Sequence, residues 1–174
     1  MILTEPQGSE IVAALELDAD KTKFPFCKLH VTWPDGGGET PWGRTLEGGL
    51  ASMENSTLYP KYRFRDILQV HGGYETGEVI YRHYPAKVVF LYEPLTGEGD
   101  DPDKDRRQVI AEAAQVTPDV YVSFFTAGQG YVLCPREVSP ETVAEALKAT
   151  GFITEGPRSE TFDVEADEYD YQEL

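Results

Sequence analysis

The sequence predicts an α+β fold: a mainly antiparallel sheet built from hairpins, two helices packed on it, and a disordered acidic C-terminal tail. Three observations carry that expectation. Apolar runs with strand periodicity come in pairs around short glycine-containing turns, at 61–70 with 78–92 and at 120–125 with 131–134. Two stretches after these pairs carry helix punctuation and a 3.6-residue apolar stripe. The last twenty residues hold eight carboxylates and one base, Arg158. Hairpins joined tightly in sequence favour antiparallel pairing with helices on one sheet face. At 174 residues the chain is expected to form one domain over 1–154, burying roughly 70% of its unfolded surface, with 155–174 as the tail.

The elements follow in order. Residues 10–19 fit a strand or a short helix, and their brevity and Ile11-Val12 favour the strand. Cys27 to Trp33 alternates Leu29, Val31 and Trp33 with Lys28, His30 and Thr32, the pattern of a half-buried strand. Pro34 to Pro41 ends it, and Trp42 to Pro60, rich in Gly, Ser, Asn and Thr, reads as a long irregular connection. In 61–66 Tyr62 and Phe64 share one face, and Lys61, Arg63 and Arg65 the other. His71–Gly77 is the turn, and Glu78–Tyr92 returns with a break at Pro85, which cannot donate to the ladder. Asp101 and Pro102 begin a helix striped by Val109, Ile110 and Ala113 and stopped by Pro118. Ser139 and Pro140 begin the second, striped by Val143, Ala146 and Leu147, with Gly151 just past its end.

Charge narrows the function classes. Thirty-one acids against fifteen bases give a formal charge of -16, and without the last twenty residues 23 acids still face 14 bases. That field repels nucleic acid and anionic membranes and favours basic partners. No apolar run reaches the ~18 residues a membrane helix needs. The N-terminus has no basic-then-apolar leader pattern, and two distant cysteines make no disulfide framework, so a cytoplasmic setting is expected.

Catalytic signatures are weak. Cys27-x-x-His30 has a metal-like spacing, but strand alternation points the two residues to opposite faces and no second ligand pair accompanies them. Cys134 precedes Pro135 at a strand end, away from any glycine-flanked turn that would activate a thiol. Gly36-Gly37-Gly38, Gly48-Gly49 and Gly72-Gly73 lack the Lys-Ser/Thr and helix of a phosphate loop. Carboxylate pairs carry no information among thirty-one acids. No cofactor and no metal site is expected.

One stretch departs from the acidic background. Lys61, Arg63, Arg65, Arg82 and Lys87 lie among the aromatics of 59–92, opposed by Asp66, Glu75 and Glu78. Bases and aromatics interleaved on a sheet can hold single-stranded nucleic acid by phosphate contact and stacking. The plainer account is a strand with Tyr62 and Phe64 in the core and Arg63 and Arg65 in water. A third account lets that basic face receive an acidic tail, from its own chain or a neighbour. In the tail Asp163, Glu165, Asp167, Glu168 and Asp170 surround Tyr169 and Tyr171, a composition that docks in a basic-rimmed groove when a partner offers one. This segment resembles the acidic tails of phage and bacterial single-stranded DNA-binding proteins. The resemblance stops at the tail: the chain ends in Leu174 rather than Phe, and no OB-barrel pattern precedes it.

The sequence thus points to a non-enzymatic, acidic interaction protein that binds a basic protein surface, in its sharpest form an inhibitor whose carboxylates mimic nucleic-acid phosphates. The first alternative is a nucleic-acid-binding module on strands 59–92, with an autoinhibitory tail. The second is an enzyme of unknown class.

Overall fold

The computed structural model describes residues 2–57, 62–92, 111–113, 115–116, 119–126, 128–151 and 153–161. Its sheets are antiparallel and its class is α+β. The chain divides into two compact units, Met1–Tyr84 and Pro85–Leu174, where one domain over 1–154 was expected. The division falls at the expected Pro85 break: strand ends at Tyr81 and resumes at Ala86.

The first unit begins with helix α1, Glu5–Leu17. The strand expected at 10–19 is therefore corrected to helix. The deciding signal is Thr4-Glu5-Pro6-Gln7, a capping box: the Thr4 N–H donates to Gln7 Oε1 at 3.0 Å, and Pro6 sits in the first turn. Once nucleated, Val12 and Leu15 face inward and are buried.

Five strands make the sheet of this unit: β1 (Phe26–Lys28), β4 (Trp42–Leu46), β5 (Leu50–Met53), β6 (Ile67–Val70) and β7 (Thr76–Tyr81), in that spatial order. A small hairpin, β2 (Val31–Thr32) with β3 (Gly38–Glu39), stands apart. The irregular connection expected over Trp42–Pro60 is instead largely the β4–β5 hairpin, with Leu46 opposite Leu50. Gly48 and Gly49 both take φ 73°, a left-handed pair that glycine adopts without strain and that closes the three-residue loop. The expected pairing of 61–70 with 78–92 reduces to β6 against β7; residues 63–66 form a turn, with the Asp66 N–H donating to the Arg63 carbonyl. The His71–Gly77 turn is shorter by two residues, since β7 starts at Thr76.

Alternation sorts the sheet residues onto two faces. Leu46, Ile67, Ile80 and Tyr81 pack with Val12 and Leu15 of α1, while Ala51, Met53 and Leu68 pack with Cys27, Leu29, Val31 and Tyr62. The helix lies unusually close to β7. A β-carbon on Gly8 would sit 2.1 Å from the Tyr81 ring, whose hydroxyl meets Ser9 Oγ and Glu5 Oε1 at 3.0 Å each.

The second unit holds β8 (Ala86–Tyr92), helical residues at 111–113 and 115–116, β9 (Tyr121–Thr126), β10 (Gln129–Cys134), helix α2 (Pro140–Lys148) and β11 (Ile153–Thr161). The order across its sheet is β11-β8-β10-β9, all antiparallel. Among the described residues the order is β-α-β-β-α-β with the last strand beside the first, as in the ferredoxin-like arrangement. Ala113, Val143, Ala144 and Leu147 cover Ala86, Val88, Phe90, Val132 and Cys134. Ser139 and Pro140 begin α2, and Gly151 follows it at φ 80°. Strand β11 corrects the tail boundary: residues 155–161, expected in the tail, pair with β8. The expected starts of the first helix (Asp101, Pro102), its stripe residues Val109 and Ile110, and its stop at Pro118 lie outside the described residues.

In an exposed helix interior Gly→Ala stabilises by about 1 kcal/mol. At Gly8 the sign reverses, because the methyl group must displace a buried ring. Gly8→Ala is expected to lower stability by about 1–3 kcal/mol in urea titrations, with Gly8→Ala/Tyr81→Ala recovering much of the loss at that contact.

Candidate functional site

Every described arginine of the first unit, Arg44, Arg63, Arg65 and Arg82, is buried. Arg44, from the middle of β4, reaches the C-terminus of α1. Its NH1 donates to the Leu15 carbonyl at 2.7 Å, its NH2 to the Asp18 carbonyl at 3.3 Å, and its Nε to the Phe24 carbonyl at 2.8 Å. Those first two carbonyls lie where a helix leaves its acceptors unmatched and its dipole negative. Asp18 closes the arrangement with an ion pair to Arg44, and its carboxylate accepts the N–H groups of Thr22, Lys23 and Phe24. Desolvation pushes the Asp18 carboxyl up; the three N–H groups and the Arg44 charge outweigh it and hold it below its ordinary value.

The second arginine group gathers around Asp66, which is fully buried. Arg82 meets it side-on, Nε to Oδ1 at 3.3 Å and NH2 to Oδ2 at 3.2 Å. The Arg63 N–H donates to Oδ2 at 2.9 Å, and Arg63 NH1 to the Tyr84 carbonyl at 2.8 Å. Burial pushes the Asp66 carboxyl up, against the pull of the Arg82 charge, the Arg63 N–H and the Arg63 charge. Arg65, at φ 65°, pairs with Glu54 and stands over the Phe64 ring at 4.6 Å.

This corrects the expected basic face. Tyr62 is buried as expected and Phe64 is half-buried, but Arg63, Arg65 and Arg82 are buried with them. Alternation assigned the cations to water because an unpaired buried charge is costly; here Asp66, Glu54 and the Tyr84 carbonyl offset that cost. Lys61 and the tail residues Asp163, Glu165, Asp167, Glu168, Tyr169, Asp170 and Tyr171 lie outside the described residues.

Taking the arginines inside changes the surface. In the first unit Glu5, Glu10, Glu16, Asp20, Asp35, Glu47, Glu75 and Glu78 are exposed, whereas the exposed described cations are Lys23 and Lys28. Recesses interrupt this anionic surface, and two of them are lined by described residues. One, of about 500 Å³, lies between α1 and the β4–β5 hairpin, with an apolar floor and with Glu10, Glu47 and Lys23 in its lining. The other, about 390 Å³, is walled by Phe26, Trp42, Glu54 and Asn55. Phe26 and Trp42 are 49% and 46% exposed, their ring centroids 5.8 Å apart, with Lys28 Nζ 3.7 Å above Trp42. The sequence offered a signal for both recesses that irregular composition masked: the period-two run Trp42-x-Arg44-x-Leu46 places all three on the α1 face of the sheet.

Both cysteines are free, buried thiols. Burial raises Cys27 above its ordinary value, partly opposed by a hydrogen bond with Thr45. Cys27 is buried and His30 is exposed, on opposite sides of their segment. Among the described residues no group of three or more His, Cys, Asp or Glu could hold a metal ion.

Two outcomes test the arginine layer. Asp66→Ala removes the buried carboxylate that Arg82 and Arg63 face and should cost about 3–5 kcal/mol in a denaturant titration; a loss under 1 kcal/mol would show that Asp66 contributes little to holding them. Asp18, held low in the folded chain, stabilises above the unfolded carboxylate value of about 4 and loses that contribution as pH falls through its folded value. The stability gap between the parent and Asp18→Asn should therefore be widest near neutrality and close in acid.

Compared with protein-family models, curated proteins and solved structures, the chain matches none of them.

Proposed function

We propose that this chain is a non-enzymatic binding protein that engages a basic protein surface through the anionic exterior of its first unit. The observation that carries the reading is the burial of Arg44, Arg63, Arg65 and Arg82, which leaves eight exposed carboxylates against two exposed lysines among the described residues of that unit. The surface is thus more anionic than composition alone implies. Charge of one sign over a folded surface raises encounter rates with basic partners and repels nucleic acid. In its sharpest form the carboxylates stand in for the phosphates that a nucleic-acid-binding partner would otherwise hold. Reduced Cys27 and Cys134 fit a cytoplasmic setting. The competing reading, a nucleic-acid module on strands 59–92, loses four of its five named cations, Lys87 among them, to the interior. No helix among the described residues is long and apolar enough to cross a membrane.

Immobilised protein incubated with a nuclease-treated extract should retain basic proteins that leave as salt rises, since the screening length contracts from about 8 Å at 0.15 M to about 3 Å at 1 M. The triple variant Glu10→Gln/Glu16→Gln/Glu47→Gln should lose most of that retention. Glu137→Gln/Glu141→Gln/Glu145→Gln, with the same change in net charge in the second unit, should keep it. Retention indifferent to salt, equal loss in both variants, or a shift of labelled single-stranded oligonucleotide at physiological salt would overturn the reading.

A further inference from the structure

The groove between α1 and the β4–β5 hairpin is more specific than the charge around it. Its floor is apolar: Leu3, Ile11, Phe24 and Leu50 pack against the core beneath yet remain half-buried, so each keeps a face toward the groove. Its volume of about 500 Å³ falls within the range of roughly 300–1,000 Å³ that ligand sites occupy. Glu10 on α1 and Glu47 in the hairpin loop line it from its two walls. Both are exposed, and neither has an ion-pair partner among the described residues. The cation of the lining, Lys23, has its ammonium 5.1 Å from the Phe24 ring centroid.

We propose that this groove seats an apolar side chain of a basic partner segment, with Glu10 and Glu47 receiving the lysine or arginine residues that flank it. The proposal rests on the reading of the chain as a binder of basic surfaces, and it names where the partner docks. Charge complementarity selects the occupant. An acidic segment would face two carboxylates, and a purely polar basic segment would leave the floor wet. A segment with an apolar residue between cations satisfies both. Such an anchor, once buried, is worth about tenfold or more in affinity, whereas the exposed ion pairs add register and salt sensitivity more than strength.

The test uses the full chain and three short synthetic peptides: a leucine flanked by lysines, the same peptide with serine for leucine, and the same with glutamates for lysines. Backbone amide NMR titrations should show the leucine–lysine peptide binding about tenfold or more tighter than the serine peptide, with shifts concentrated at Ile11, Ala14 and Leu50. Ala14→Phe, which fills the groove without altering charge, should erase the difference between these two. Ala14→Gln, a milder change on the same helix face, should reduce it, and retained shift dispersion reports that each variant folds. Glu10→Gln/Glu47→Gln should weaken both lysine peptides. Equal binding of the leucine and serine peptides, unmoved by Ala14→Phe, would overturn the groove while leaving the general anionic reading standing. Binding of neither lysine peptide at low salt would sink that reading itself. Equal binding of the glutamate peptide, or concentration-dependent self-association abolished by Ala14→Phe, would replace the proposed occupant with an acidic segment or a second copy.

Discussion

The guanidinium of Arg44 fixes the architecture of the first unit. A charge with no exposed surface is tolerated only where its donors are matched, and three carbonyls and a carboxylate match them here. The acceptors come from three points on the path from α1 into the sheet: Leu15 in the last turn of the helix, Asp18 just after it with both carbonyl and carboxylate, and Phe24 ahead of β1. One side chain therefore sets where α1 ends, how the chain turns back, and how the helix is seated over β4. The groove floor contributed by Phe24 and Leu46 inherits its position from that anchoring.

The Asp66 group, just ahead of β6, repeats this logic with the carboxylate inside and the guanidinium groups around it. Together the two groups perform a sorting of charge. Arginine suits the interior because its planar fork makes several directed bonds and its hydration is weak, whereas lysine, strongly hydrated, stays at the surface. Carboxylates outnumber the arginines that need them, and the surplus is left outside. The anionic exterior is thus a by-product of how the core is held, and it depends on fold as much as on composition.

Much of the fold was legible because its signals are local. The 120–134 hairpin, the helix begun by Ser139 and Pro140, and the break at Pro85 are all marked by residues within a few positions of the event. The misread parts have different causes. For α1, the strand reading rested on the β-branched pair Ile11-Val12 and left out the Thr4-to-Gln7 capping box, although cap chemistry decides short helices that packing then secures. For 42–53, Gly and Ser composition hid a period-two pattern. The burial of Arg63, Arg65 and Arg82 was not legible from alternation, because it depends on Asp66, Glu54 and the Tyr84 carbonyl, which tertiary structure brings to them. The groove is of that kind too, since its walls come from segments more than thirty residues apart in sequence.

The strand order of the second unit has a consequence for how the chain acquires its structure. Its first strand, β8, lies between β10 and β11, and β11 is the last described strand of the chain. In the first unit, β4, β5, β6 and β7 pair with sequence neighbours, so pairing can advance as the chain emerges. In the second, one edge of β8 has no partner until residues 153–161 have been synthesised. Contacts of long sequence separation form slowly and expose strand edges while they wait. A ribosome-bound chain would therefore carry a first unit with its strand partners in hand beside a second whose central strand is still open on one side.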